Sequence, residues 1–326
     1  MRAIQVTEHG GPEVLVPTDL PDPRIGPDQL LVDTDAIGIN YIDVYRRIGR
    51  YPGPLPIIPG SEGSGVVAEV GANVTEFAVG QRVAWADAPG SYAERVAVDA
   101  AVAVAVPDAV PSPVAASALL QGMTAHYLIE SAYRPEPGET ILVHAGAGGV
   151  GLLLTQLAAA REVRVVTTVS TDEKETLSRA AGAAEVLRYG DDLAERVREL
   201  TDGVGVAAVY DGVGQATFEA SLAALRVRGT LALFGASSGP VPPFDLQRLN
   251  GLGSLFVTRP TLGHYTRDRA ELLGRAEAIL NSVAEGALHV RIGASYPLAE
   301  AARAHRDLEA RATTGALVLI PETART

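Results

Sequence analysis

Residues Ala145 to Gly151 read AGAGGVG, four glycines and two alanines in seven positions. A turn without side chains has a specific chemical use when a helix follows it. The first turn of a helix carries unpaired backbone N–H groups and the positive end of the dipole, and an anion can approach them closely only where no side chain intervenes. Behind the turn, Ile141, Leu142 and Val143 form a short apolar run bounded by Pro137-Gly138, which predicts a strand buried on both faces. Ahead of it, Val150, Leu153, Leu154, Leu157 and Ala158 recur at helical spacing. Strand, glycine turn and helix together point to a cradle for the pyrophosphate of a dinucleotide, formed at Gly148, Gly149, Val150 and Gly151. A tight turn with no ligand is the alternative.

In such cradles an acidic residue about 20 positions further on selects a cofactor with a free ribose 2′-hydroxyl. The next apolar run here ends in TTVSTDEK, with Ser170 at its tip instead of Asp or Glu. A neutral tip leaves room for a 2′-phosphate. Lys174 offers that phosphate a charge and Tyr189, at the end of the following run, a hydroxyl, so the expected cofactor is NADPH. Ser170 and Glu173 also read as a capping box, with Lys174 a solvated helix residue. Asp172 argues for the unphosphorylated cofactor.

The elements that must position these residues divide the chain in two. Nine of the 21 prolines fall in the first 60 residues and none lies between Gly138 and Gly239; proline interrupts helices and sheet ladders alike, so uninterrupted alternation belongs to the later stretch. There, strands at 140–145, 163–169, 184–189, 206–211, 230–235 and 254–258 alternate with helices at 149–160, about 173–181, 191–200 and 216–226. Six such strands imply an α/β unit with a doubly wound parallel sheet, its ligand at the strands' carboxyl ends. The first part, with QLLVDTDAIGI, GSGVVAEVG and QRVAWAD between glycine and proline turns, predicts a compact, mostly antiparallel β domain. The last stretch, a helix at 270–284, HVRIGASYPL, a helix at 299–310 and GALVLI, is expected to return to that first domain.

Composition excludes other chemistries. A net charge of −12, from 39 acidic and 27 basic residues, argues against a nucleic-acid partner or an anionic membrane surface. No apolar run is long enough for membrane insertion, and the expectation is a soluble cytoplasmic protein. With no cysteine, there is no disulfide, thiolate nucleophile or sulfur-ligated metal, and the six histidines form no close pair. No metal site is expected.

The segments GINYIDVYRRIGRYP (38–52), PGSEGSGVVAEVG (59–71), YDGVG (210–214), FGASSG (234–239), GSLFVTRPTL (253–262) and RATTGALVLIP (311–321) resemble, in combination, a zinc-free branch of the medium-chain dehydrogenase/reductase superfamily. That branch is the NADPH:quinone oxidoreductases of the zeta-crystallin type. The resemblance implies a GroES-like catalytic domain over 1–117, a Rossmann NADPH-binding domain over 118–260 and a C-terminal segment, 261–326, returning to the catalytic domain. It also implies NADPH in the interdomain cleft, a small-molecule quinone substrate and a homodimer. Zinc enzymes of the superfamily place metal ligands near the positions of Asn40 and Ser61, neither of which is Cys or His here.

A quinone suits a site without a Lewis acid, because it is already electrophilic and its reduced form is stabilised by delocalisation. Nicotinamide is placed beside Asn40, Tyr41 and Tyr45, with Tyr45 and Tyr51 shaping the quinone pocket; the same tyrosines also read as packing under a loop. Asp43 either orders that loop by hydrogen bonding or pairs with Arg46 or Arg47. By resemblance, Tyr127, Gly149 and Val150 contact ribose or pyrophosphate. Gly212, where similar enzymes offer a serine, and Phe234, Gly235, Ala236 and Ser237 follow the nicotinamide half. The backbone of Thr258, Arg259 and Pro260 holds the carboxamide side, and Arg311 reaches the cofactor from the last segment. GASSG also matches a hydrolase nucleophile elbow centred on Ser237, but PVPPF follows it where an elbow needs a helix. Two other readings remain open: an alkenal or enone reductase, and a non-catalytic NADPH-binding redox sensor.

Overall fold

A computed structural model describes residues 1–51 and 53–324. Pro52, which closes the first of the motifs above, and Arg325 and Thr326, which end the expected C-terminal segment, lie outside the described residues. The chain forms two compact units, Met1–Met123 with Thr266–Thr326, and Thr124–Tyr265.

The first unit opens with an antiparallel pair, β1 (Arg2–Gln5) and β2 (Val16–Asp19), that the sequence reading did not single out. β3 (Gln29–Ile39) is the spine of this unit. Its aliphatic residues Leu30, Val32, Ala36 and Ile37 are completely buried, so the strand is covered on both faces. It delivers the chain directly into α1 (Tyr41–Arg47), with Asn40 as the capping residue between them. β4 (Glu62–Val70), β5 (Arg82–Trp85), β6 (Arg95–Asp99), β7 (Val104–Ala105) and α2 (Ser112–Tyr127) follow.

The second unit runs β8 (Thr140–Val143), α3 (Gly149–Ala159), β9 (Arg164–Val169), α4 (Asp172–Ala180), β10 (Glu185–Arg188), α5 (Leu193–Glu199), β11 (Val206–Asp211), α6 (Phe218–Ala224), β12 (Leu225–Leu233), α7 (Gln247–Gly251) and β13 (Phe256–Thr258). The expected six-stranded, all-parallel sheet is present in the order β10-β9-β8-β11-β12-β13. Strand order reverses between β8 and β11, and the crevice above their carboxyl ends is where such folds take ligands. Leu142, Val166, Val209 and Leu231 fill the core beneath it. β12 starts at Leu225, five residues before the expected position, because Leu225 already has extended geometry (φ −71°, ψ 145°) and ends α6 there.

The chain then returns to the first unit through α8 (Arg269–Ala284), β14 (Ile292–Pro297), α9 (Ala301–Glu309) and β15 (Ala316–Ile320). The α8 N-terminus is closed by the Asp268 side chain, which accepts from Glu271 N–H at 2.9 Å. β15 lies antiparallel to the end of β3 (Leu317 beside Ile39, Leu319 beside Ile37), and β6 pairs with its start. The sheet is β14-β15-β3-β4-β5-β7, antiparallel except between β14 and β15. Among the described residues no helix is long and apolar enough to cross a membrane.

Candidate functional site

The glycines of the turn after β8 divide their work. A Cβ on Gly151 would overlap the Ala145 carbonyl oxygen and lie 3.0 Å from Gly146 Cα, and one on Gly146 would fall 2.5 Å from Thr167 Cβ on β9. These two let helix and strand close on each other. Gly148 is less confined, its nearest such neighbour being the Ala145 carbonyl at 3.2 Å, and caps α3 in extended geometry. Ala145 itself takes φ 53°, a left-handed conformation that costs an L-residue about 1–2 kcal/mol. Leu152 N–H is bonded to Gly148 O at 2.9 Å. The preceding N–H groups of Gly149, Val150 and Gly151 therefore have no acceptor within the helix.

After β9, the capping expectation is corrected. Thr171, not Ser170, caps α4, its hydroxyl accepting from Lys174 N–H at 3.3 Å. The chain is still extended at Thr171 (φ −139°, ψ 163°), so Ser170 is left outside the helix, and Lys174 Nζ lies 3.4 Å from its Oγ. Tyr189 folds back over the glycine turn: its hydroxyl accepts the Ala145 N–H at 3.0 Å and its ring stacks on His144 at 6.1 Å. The structure thus brings Ser170 and Lys174 together, and Tyr189 against the turn.

His144 belongs to a buried network that sequence reasoning missed. Asp211, at the end of β11, accepts four hydrogen bonds: Val213 N–H (2.7 Å), Gly214 N–H (3.0 Å), Thr217 Oγ1 (2.7 Å) and Ser221 Oγ (2.8 Å). Since Ser221 gives its proton to Asp211, it accepts from His144 Nε2 (3.0 Å), and Nδ1 takes the Thr168 hydroxyl (2.9 Å). Burial pushes the His144 pKa down, in keeping with a neutral ring. The network ties the end of β8 to the YDGVG turn. An Asp closing a buried strand and followed by glycine was the available signal.

The YDGVG turn interlocks with the loop after β12. Phe234 and Gly235 N–H both bond Asp211 O (2.9 and 3.3 Å), and Ser237 N–H bonds Gly212 O at 3.2 Å. A Cβ on Gly212 would come within 2.9 Å of the Phe234 ring. Ala236 and Ser237 lie in this loop with no helix following, so the elbow geometry is absent. Beyond β13, which ends at Thr258, Arg259 Nη1 donates to Pro260 O at 3.1 Å. Tyr127 is buried and stacked on Tyr265, rings 4.4 Å apart and 5° from parallel. Burial pushes its hydroxyl pKa up, and nearby Arg259 opposes this. Tyr265 was not foreseen. Nor was the π-helical segment Leu128–Ala132 that follows Tyr127, a wide turn of a kind frequent at functional sites.

In the first unit Asn40 is held from both sides. Its Nδ2 donates to Glu62 Oε2 at 2.8 Å and its Oδ1 accepts from Gln121 Nε2 at 3.1 Å. This fixes the amide orientation and leaves the second Nδ2 hydrogen as an oriented donor. Glu62 is completely buried, accepts Leu120 N–H at 2.7 Å, and is pushed up by burial to a pKa of about 8. Asp43 takes the hydrogen-bonding alternative: it accepts Asn40 N–H (2.9 Å) and the Tyr92 hydroxyl (3.2 Å). Burial raises its pKa to about 6. Arg47 turns away to His305 Nδ1 (3.0 Å) and Glu309 (2.7 Å). Burial, then the Arg47 charge, depress the His305 pKa to about 3, so His305 is a neutral link whose Nε2 donates to Tyr92 at 2.9 Å. Tyr45 is buried between Tyr41 and the exposed Tyr51, each 6.1 Å away, with the Arg50 guanidinium 4.4 Å above its ring. Tyr41 donates its hydroxyl to Leu308 O at 3.1 Å, and burial pushes its pKa up against the opposing charge of nearby Arg311.

The residues at Asn40 and Ser61 do not fit a zinc ion. Asn40 offers only an amide already bonded on both sides, and Ser61 accepts a hydrogen bond from the Arg46 guanidinium, a fixed cation against the oxygen a metal would need. Among the described residues no three His, Asp or Glu side chains cluster as a metal site would require.

Residues 26–108 match the alcohol dehydrogenase GroES-like domain, and residues 149–282 match the zinc-binding dehydrogenase family. The chain is 45% identical to a quinone oxidoreductase of Pseudomonas aeruginosa, covering 98% of this chain and 99% of that protein. It is 38% identical to a 2-haloacrylate reductase of Burkholderia over 98% and 99%. Mycobacterial Rv1454c, solved in complex with NADPH, superposes with a TM-score of 0.97 at 56% identity, covering 98% of this chain and all of that one.

Proposed function

Because the chain belongs to the quinone oxidoreductase family, we propose that it reduces quinones with NADPH by metal-free hydride transfer from the nicotinamide. The observation that carries this reading is the full-length 45% identity to a quinone oxidoreductase. When bound, NADPH supplies the hydride. The protein's own residues bind, orient and donate. The N–H groups of Gly149, Val150 and Gly151 hold the pyrophosphate, with Gly148 opening the way. Ser170, Lys174 and Tyr189 receive the 2′-phosphate. Tyr127, Gly212, Phe234, Gly235, Ala236, Ser237, Thr258, Arg259 and Pro260 line the path toward the nicotinamide, and Arg311 is assigned to the cofactor as well. Asn40, Tyr41 and Tyr45 position the nicotinamide, and Tyr45 and Tyr51 flank the quinone. The clamp by Glu62 and Gln121 aims the remaining Asn40 N–H, which stabilises negative charge on the quinone oxygen as hydride arrives.

The test is NADPH oxidation monitored across simple benzoquinones and naphthoquinones, set beside enals and 2-haloacrylates. Quinones should turn over with the higher kcat/KM. Higher kcat/KM on the alkenes would favour the second reading, an alkene reductase, which the similarity to the 2-haloacrylate reductase supports. Tight NADPH binding with no turnover on either set would reduce the protein to a cofactor-binding sensor.

The proposal extends to a cytoplasmic homodimer. β13 is the outer strand of its sheet, and it presents Phe256 (61% exposed) and Val257 (39%), with Leu252 and Leu246 also exposed. An uncovered apolar strand edge is suited to pairing with a second copy about a two-fold axis.

A further inference from the structure

α4 opens with Asp172, Glu173 and Glu175 in its first turn. Acidic residues there suit the helix dipole. They also set negative charge close to Ser170, where the 2′-phosphate of the proposed cofactor would sit. The neighbouring strand answers that charge. Arg188, the last residue of β10, is in register with Val169, the residue before Ser170. Its Nη2 lies 2.5 Å from Asp172 Oδ1 and 2.9 Å from Glu175 Oε2. Its Nη1 is buried with no hydrogen-bond partner among the described residues.

Resting on the NADPH reading above, we propose that Arg188 is a specificity-determining residue: by pairing with Asp172 and Glu175 it cancels the repulsion these carboxylates would exert on the 2′-phosphate. The Asp172 side chain is fully exposed and the Arg188 side chain about one-third exposed (35%). Ion pairs this exposed contribute little to folding stability. The effect of removing Arg188 therefore falls on the phosphorylated ligand, not on the fold. A second negative charge held near two uncompensated carboxylates is repelled, and salt screens that repulsion. Lys174 and Arg188 then do different things: Lys174 reaches the phosphate, and Arg188 silences the acids beside it.

The experiment titrates NADPH and NADH into the full-length wild type, Arg188→Gln, Arg188→Gln/Asp172→Asn/Glu175→Gln and Lys174→Ala, at low and high salt, with melting temperatures as folding controls. Arg188→Gln should weaken NADPH about five- to tenfold at low salt, NADH by less than about twofold, and the loss should shrink at high salt. Removing the two acids in the same chain should restore most of the NADPH affinity. Lys174→Ala should weaken NADPH selectively without needing the acids. Unchanged NADPH affinity in Arg188→Gln would overturn the proposal. So would a triple variant as weak as Arg188→Gln, because Arg188 would then be a direct phosphate ligand. A wild type that binds NADPH and NADH equally would overturn the cofactor reading itself, and this inference with it.

Discussion

At the scale of single residues, the buried carboxyls carry the sharpest consequence. Glu62 is moved by burial from about 4.5 to about 8, against the opposing hydrogen bonds from Leu120 and Asn40. Between those values the unfolded chain has released a proton that the folded chain keeps. Stability is therefore lost as pH rises through the window, by roughly 1.4 kcal/mol per pH unit for one such group. Asp43, raised to about 6, adds to the lower part of the same decline. Below about pH 6.5 the buried neutral His305 and His144, whose pKa values are depressed, act in the opposite sense, so melting temperature should fall from about pH 6.5 to 8, and Glu62→Gln, which has no proton to release, should show a shallower fall. Equal slopes in a melting series would refute the assignment. Neither residue's state was legible in the sequence. GSEGSG shows a glutamate among glycines, but that it is fully enclosed and faces Asn40 follows only when β3, β4 and α2 are brought together.

At the scale of elements, strand, glycine turn and helix were legible because each has a local cause: aliphatic run, missing side chains, helical period. Their consequence is testable by separating the two kinds of glycine. Gly149 is the first residue of α3 and is not left-handed, so a valine there leaves the helix intact while its side chain invades the space offered to phosphate. Gly149→Val should abolish NADPH binding with little change in cofactor-free melting temperature. Gly151→Val must push against the Ala145 carbonyl and should lose stability as well as binding, by about 1–3 kcal/mol or more. Titration and melting of both variants check this, and a folded Gly149→Val that binds NADPH normally would make the turn only a turn. The cap of α4 was misread for a local reason too: Ser170 and Thr171 are both competent caps, and only the backbone geometry at Thr171 chose between them.

At the scale of the whole molecule, the exposed edge at β13 predicts assembly. The wild type should sediment at twice the chain mass, and Phe256→Asp should sediment as a monomer with an unchanged far-ultraviolet circular dichroism spectrum; a wild-type monomer at micromolar concentration would exclude the homodimer. By itself the sequence determined the fold class, the order of the six parallel strands' alternation with helices, the glycine turn ahead of α3 and the serine that follows β9. All of these rest on periodicity or on contacts within a few residues, which the chain writes locally. The tertiary structure decided the rest. It set Glu62 and Gln121 on either side of Asn40, His144 against Ser221, Tyr265 on Tyr127 and Arg188 across from Asp172. Most of these partners stand tens of residues apart, and even the nearer ones meet only because sheet order and register bring their elements together. No local pattern encodes that meeting; it follows from which strand ends beside which.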